Sequence, residues 1–204
     1  MVTQNLSQKW DRASRTYDWV TWADERRFGP AKARLFARMK GVCLMVAAGT
    51  GRDFRFLAPG LNVTAIDISP QMIARAQKRV ELYAGILKLQ VMDLQALKFP
   101  DAYFDTVVTS CTFCSVPDPL RGLREIYRCL KPGGGLLMFE HVRSRLGPIA
   151  ILQDLMTPLT RRFGPDMNRD TLRNVLTAGF ELWREDNVYL DIIKAIEARR
   201  PGHS

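Results

Sequence analysis

Leu44 to Asp67, reading LMVAAGTGRDFRFLAPGLNVTAID, constrains the chain more than any other stretch. An apolar run meets a Gly-x-Gly turn, a helical stretch follows, and a second apolar run closes on an acid. That order builds a nucleotide-type site on an open parallel sheet. Gly49 and Gly51 lack a Cβ and let the backbone approach a ligand, while Asp67 at the carboxyl end of the next strand can accept from both ribose hydroxyls. A lone Gly-x-Gly is also a tight turn in any α/β protein; the acid at its spacing is what points to a binding site.

The rest of the chain alternates in the same way. Strands are expected at Val42–Val46, Asn62–Ile66, Leu87–Val91, Phe104–Ser110 and Leu136–Glu140, the last fed by the glycine turn Gly133–Gly135. Helices are expected around Asp53–Leu57, at Pro70–Tyr83 behind the N-cap Ser69, at Asp118–Leu130 and at Arg169–Ala178. Ahead of this unit, Ser7–Tyr17 and Arg27–Met39 read as helices, with Gly29-Pro30 as punctuation and Pro30 in a first helical turn. Val142 to Asn168, holding Pro148, Pro158 and Pro165, interrupts the alternation. Strands followed by helices imply a parallel sheet, with ligands outside the carboxyl ends of the strands. That rule selects Ala47 to Gly51, Asp67-Ile68, Met92-Asp93-Leu94 and Ser110-Cys111-Thr112.

The length of 204 residues suits one domain with a good core. No uncharged apolar run approaches the roughly 18 to 20 residues of a spanning helix. Met1 is followed by Val, Thr, Gln and Asn, without the basic and apolar regions of a secretory signal, so the expected location is cytoplasmic. Four cysteines fit a reducing compartment; Cys111 and Cys114 form a single C-x-x-C, and His141 and His203 are not at zinc-finger spacing, so no metal is expected. The net charge of +9 is uneven: residues 1–40 carry nine Lys/Arg against four acids, and residues 143–173 six against three. Such clusters suit an anionic membrane surface or a nucleic acid, or are simply solvated helix faces.

Four blocks, Val46–Gly51, Asp67-Ile68-Ser69-Pro70-Gln71-Met72, Phe104-Asp105-Thr106-Val107-Val108 and Leu130-Lys131-Pro132-Gly133-Gly134-Gly135, resemble in order and spacing the class I S-adenosylmethionine (SAM) dependent methyltransferases. The resemblance implies an α/β fold: a Rossmann-like, seven-stranded, mostly parallel sheet with helices on both faces, closed by an antiparallel pair at Phe180–Tyr189 and Ile192–Ala198. It implies an N-terminal helical lid and membrane-binding segment over 1–40 and the methyltransferase domain over 41–204, in which 143–173 is an irregular, helical insertion near the substrate site. It implies SAM as cofactor, with Gly49 and Gly51 beside the methionine moiety, Asp67 on the ribose, Ile68 and Leu94 around the adenine and Asp93 on its amino group. Ala47, Thr50, Met72, Ser110 and Cys111 complete that set, and Arg15, Tyr17 and Trp19 are the lid candidates. Met45 stands where the family usually has an acid, and Ala47 where it has a glycine.

The segments Thr112–Asp118, Glu140–Ser144, Thr157–Arg162 and Asn168–Leu172 resemble the bacterial phospholipid N-methyltransferases related to quinone-biosynthesis C-methyltransferases. Their acceptor is phosphatidylethanolamine, converted stepwise to phosphatidylcholine. The implied site has Tyr17 orienting the amine, Glu140 or His141 accepting its proton, and Arg143, Arg145, Arg161, Arg162 and Arg169 near the phosphate. Tyr17, Trp19 and Trp22 would form an aromatic wall for the ammonium. The expected partners are the phospholipid and the anionic inner membrane, met peripherally through the two basic segments by a monomer, with no nucleic acid. Competing readings are a quinone-precursor C- or O-methyltransferase, a nucleic-acid-binding methyltransferase and a non-catalytic SAM-binding protein.

Overall fold

The computed structural model describes residues 2–163 and 166–202; within them, the side chains of residues 2–4, 20, 25 and 161–163 are outside the description. Seven strands form one sheet: β1 (Val42–Val46), β2 (Asn62–Asp67), β3 (Ile86–Val91), β4 (Phe104–Ser110), β5 (Leu130–His141), β6 (Glu181–Tyr189) and β7 (Ile193–Arg199). Their order is β3-β2-β1-β4-β5-β7-β6. β1 to β5 pair in parallel, and β7 runs antiparallel to both β5 and β6. Strand order reverses between β1 and β4, which opens a crevice at their carboxyl ends.

The helices are α1 (Val2–Ala13), α2 (Tyr17–Val20), α3 (Trp22–Phe36), α4 (Pro70–Gln77), α5 (Pro119–Cys129), α6 (Gly147–Phe163) and α7 (Thr171–Thr177). A sheet buried on both faces needs strands that are apolar throughout. The inner strands obey this, with Cys43–Val46 and Thr106–Thr109 fully buried. Leu123, Ile126 and Cys129 of α5 and Val175 of α7 fill one face, and Phe28, Leu35 and Phe36 of α3 fill the other. Met45 belongs to that second core, only 1% exposed. Ser69 caps α4, its Oγ accepting from the Met72 amide at 3.0 Å.

Several segments differ from the sequence expectation: α1 spans Val2–Ala13 rather than Ser7–Tyr17, α4 ends at Gln77 rather than Tyr83, and β5 begins at Leu130, so that the glycines expected as its turn lie within the strand. α3 begins at Trp22 rather than Arg27 and runs through Pro30, so that proline is internal to the helix. Gly29 beside it lets the ring of Phe56 lie against the helix, where a Cβ would stand 2.9 Å from Phe56 Cζ. The interruption after β5 contains a 17-residue helix, α6, with Pro158 inside it. Its buried side is polar: Gln153 Nε2 donates to the carbonyls of Val142 (3.0 Å) and Met167 (2.9 Å), and its Oε1 accepts from Ser144 N (2.7 Å). Its apolar residues Ile151, Leu152, Leu155, Met156 and Leu159 face solvent, Leu155 at 74% exposure. A helix whose inner face is amide and hydroxyl carries no apolar core signature, which is why its pattern reads as irregular.

Candidate active site

A cavity lies at the carboxyl ends of β1, β2 and β4, roofed by Leu6 and Trp10 of α1 and Tyr17 of α2. Ala47, Gly49, Asp67, Ile68, Met72, Asp93, Leu94, Ser110 and Cys111 line it, together with Met92, Gln95 and Thr112. Nine of the residues that sequence reasoning assigned to cofactor binding thus meet on one surface, as does Tyr17. Ala47 and Cys111 hold φ of 51° and 50°, in the left-handed region that L-residues with a Cβ rarely occupy. Each is the turn residue by which a buried strand leaves the sheet into the crevice, and such strain concentrates at functional sites.

Asp67 is buried and its oxygens are aimed by backbone: Oδ2 accepts from Gly49 N and Oδ1 from Ser69 N, both at 2.9 Å. Burial raises its pKa against those two hydrogen bonds. Asp93 caps the short turn Leu94–Ala96 through Gln95 N at 2.8 Å and still borders the cavity. Gly51 lines neither this cavity nor the neighbouring one. Its φ of 79° and a space where a Cβ would meet Phe54 Cε2 at 2.6 Å make it a packing and turn residue. Thr50 lies behind the first cavity and donates its hydroxyl to Asp18 Oδ1 at 2.6 Å.

The roof is tied at two points. Asp18 also accepts from Arg79 Nη2 at 2.6 Å, and Arg52 Nη1 donates to its carbonyl. Burial opposes charge on Asp18, but the bonds from Thr50 and Arg79 outweigh it and lower its pKa. On α1, Asp11 Oδ1 accepts from Ser69 Oγ (2.5 Å) and Gln71 N (3.1 Å), and Ser7 Oγ donates to the Ile68 carbonyl. Arg15 is exposed and lines neither cavity, and Trp19 stands 84% exposed.

A second chamber adjoins the first, sharing Trp10, Tyr17, Ala47, Ser110, Cys111 and Ser115 as a common wall. Phe28 and Phe139 extend the aromatic lining, and Asp24, Lys32, Arg52, Asp53 and His141 add charged and titratable side chains. Lys32 Nζ donates to both Asp53 oxygens at 2.9 Å. Burial works against the ammonium, but Asp53 more than compensates and raises its pKa, so Lys32 is charged. Burial lowers the pKa of His141, which holds the imidazole neutral at neutral pH. The same effect raises the phenol of Tyr17, which stays protonated.

Glu140, the other proton-acceptor candidate, lines neither cavity. Adjacent residues on a strand point to opposite faces, so β5 can aim only one of Glu140 and His141 at the chamber. Glu140 turns to the β4 side, where Oε1 accepts from Thr109 Oγ1 (2.6 Å) and Oε2 from Thr112 N (2.9 Å) and Phe113 N (3.1 Å). Burial lifts its pKa to about 7 in spite of these donors. The arginines expected near a phosphate are elsewhere too. Arg143 pairs with Asp154 (2.8 Å) and Arg169 with Asp166 (2.6 Å), and neither lines the cofactor cavity or the adjoining chamber. Arg145 pairs with Glu185 at 3.0 Å. Arg161 and Arg162 lie on α6 with side chains outside the described residues. Among the described residues, no group of three or more His, Cys, Asp or Glu is placed to hold a metal.

Sequence reasoning missed Trp10, Phe28, Lys32 and Asp53. Lys32 sits in a helix rich in Lys and Arg and reads as solvated charge; only the turn after β1 brings Asp53 to it.

A model of the methyltransferase domain family matches residues 44–138. The chain is 29% identical to a thiol S-methyltransferase of Homo sapiens, over 79% of this chain and 72% of that protein. It is 33% identical to a phosphatidylethanolamine N-methyltransferase of Cereibacter sphaeroides, over 61% of this chain and 62% of that one. It is 30% identical to a ubiquinone/menaquinone biosynthesis C-methyltransferase of Geotalea daltonii, over 69% and 61%. The chain thus spans under two thirds of the latter two relatives.

Proposed function

The chain is a class I SAM-dependent methyltransferase, and on that premise we propose that it methylates the amine of phosphatidylethanolamine, stepwise toward phosphatidylcholine, at a membrane surface. The residues of the first cavity fit the cofactor. Gly49 offers a Cβ-free surface beneath Tyr17, and Asp67 keeps acceptor capacity beyond its two amide bonds, as ribose hydroxyls require. Ile68, Met72 and Leu94 provide apolar walls suited to an adenine ring. When bound, SAM supplies a methyl group on a sulfonium, already activated for displacement. The protein therefore needs chiefly to align a nucleophile and exclude water.

One observation carries the amine reading: His141, held neutral, faces a chamber walled by Trp10, Tyr17, Phe28 and Phe139 beside the cofactor cavity. A neutral imidazole can take the proton that an ammonium must lose before it attacks. Burial of the amine between these aromatic walls disfavours its protonated form and so assists that loss. Aromatic faces then suit the methylated cation. The 33% identity to a phosphatidylethanolamine N-methyltransferase supports the same acceptor. The apolar outer face of α6 and the charge of +9 support work at an anionic bilayer, and no helix among the described residues is long and apolar enough to cross one.

A thiol acceptor is the second reading, favoured by the human relative named as a thiol S-methyltransferase, which matches 79% of the chain. The test is to incubate the protein with labelled SAM and vesicles of phosphatidylethanolamine and phosphatidylglycerol, and in parallel with an alkyl thiol and a quinone-precursor phenol. Lipid gaining one, two or three methyls supports the amine reading. Unchanged lipid beside a methylated thiol or phenol overturns it.

A further inference from the structure

One face of α3 lines the chamber beside the cofactor cavity with Asp24, Phe28 and Lys32, each a helical turn from the next. They run from solvent inward: Asp24 is exposed, whereas Phe28 and Lys32 are only 8% and 9% exposed. The other charged side chains of the lining are engaged. Lys32 Nζ donates to both Asp53 oxygens at 2.9 Å, and Arg52 Nη1 donates to the Asp18 carbonyl. Asp24 forms no hydrogen bond or ion pair among the described residues. A carboxylate without such a partner therefore stands at the open end of an aromatic-walled chamber.

We propose that Asp24 receives the positively charged nitrogen of the acceptor at the chamber's mouth and so selects cationic acceptors over neutral or anionic ones. The inference rests on the amine reading, in which phosphatidylethanolamine arrives as an ammonium ion and loses its proton only inside. A carboxylate at the rim gives that cation a counter-charge during entry, and the aromatic wall begins one turn further in, at Phe28. The field of Asp24 reaches His141, where it opposes the lowering of the imidazole pKa by burial, so the rim and the proton acceptor lie within electrostatic range of each other. A thiolate or phenolate would meet repulsion at the same rim, which makes the residue a sorter of acceptors by charge.

The test titrates the full chain, loaded with S-adenosylhomocysteine, in about 0.15 M salt to screen distant charges. The probes are monomeric dihexanoylphosphatidylcholine and its analogue with a tert-butyl group in place of the trimethylammonium. The two share chains, phosphate and headgroup shape; only the first carries a cation, and that cation has no proton for His141 to take. Calorimetry gives the ratio of the two affinities for wild type, D24N and D24E, with unfolding midpoints measured beside them. Wild type should favour the choline lipid, D24N should lower the ratio about threefold to tenfold, and D24E, which keeps the charge, should retain most of it. A wild type without preference for the choline lipid overturns the proposal. So does an unchanged ratio in folded D24N, which would confine Asp24 to the first turn of α3, where a carboxylate meets the positive end of the helix dipole. If D24N fails to fold, Asp24→Ser is titrated, with the same fall expected and an unchanged ratio again overturning the proposal. Methylation of phosphatidylethanolamine by wild type is assayed separately: its absence removes the amine reading, while the affinity ratio still decides whether Asp24 selects a cation.

Discussion

Glu140 separates a chemical from an architectural role by substitution. Its carboxylate takes the Thr109 hydroxyl on Oε1 and two amides, of Thr112 and Phe113, on Oε2. Glu140→Gln can keep all three contacts: the amide oxygen occupies the Oε2 position, and the NH₂ donates to Thr109 Oγ1, whose hydroxyl rotates into an acceptor. The expected cost at pH 7 is below about 1 kcal/mol. Glu140→Leu orphans both amides, at about 1–3 kcal/mol each, for a central figure of about 4 kcal/mol and a fall in midpoint of roughly 8–16 °C. The two variants also differ from wild type in pH dependence. The folded pKa of about 7 lies above the ordinary 4.5, so between these values the folded protein binds a proton that the unfolded chain has released. This group's contribution to stability is therefore greatest below pH 4.5, declines as pH rises toward 7, and is level above it. The full decline is on the order of 3 kcal/mol, and glutamine has none of it, so E140Q should gain on wild type between pH 5 and pH 8. Urea unfolding at the two pH values, with turnover of the folded variant, tests both points. A loss of turnover beyond about a hundredfold in stable E140Q, the scale of a missing general base, would refute the architectural assignment.

Four further expectations follow from the same geometry. His141→Gln should lower kcat by about 10²-fold or more, and the wild-type rate should fall as pH drops through the lowered His141 pKa, a limb that the variant lacks; a change under threefold removes the proton-acceptor role. Asp18→Ala cuts the ties to Thr50 and Arg79 and should weaken SAM binding in calorimetry by about tenfold while costing about 1–2 kcal/mol of stability; unaltered affinity would mean that the roof closes without this latch. Gly51→Ala, at φ 79° and with Phe54 in the way, should lower the unfolding midpoint by about 2–8 °C, although Gly51 touches no cavity. Leu155→Glu, on the outer face of α6, should leave the unfolding free energy within about 0.5 kcal/mol and reduce sedimentation with anionic vesicles; undiminished sedimentation would place membrane contact elsewhere.

The parallel strands β1 to β4 were readable to within a residue because each is a short apolar run between turn residues, whereas β5 begins six residues before its apolar run, through Lys131-Pro132-Gly133-Gly134-Gly135. The Gly49 turn and Asp67 were readable for the same reason: strand ends place them in the crevice wherever the sheet is open. A helical insertion over 143–173 was expected from the resemblance, but the bounds of α6 were not, because Gln153 and Thr157 face inward and leucines outward. α3 was entered five residues late because Pro30, a common helix starter, stands inside it.

The sequence by itself determined the α/β alternation, the crevice and the residues at its floor, since these depend on local apolar runs, glycines and acids a few positions apart. Tertiary structure alone decided what each charged side chain does. Strand parity turned His141 into the chamber and Glu140 away from it. Chain segments far apart in sequence paired Lys32 with Asp53, Arg143 with Asp154 and Asp18 with Arg79. A long charged side chain reaches several partners at similar cost, so its role is set by the neighbour the fold supplies and by the water the fold removes.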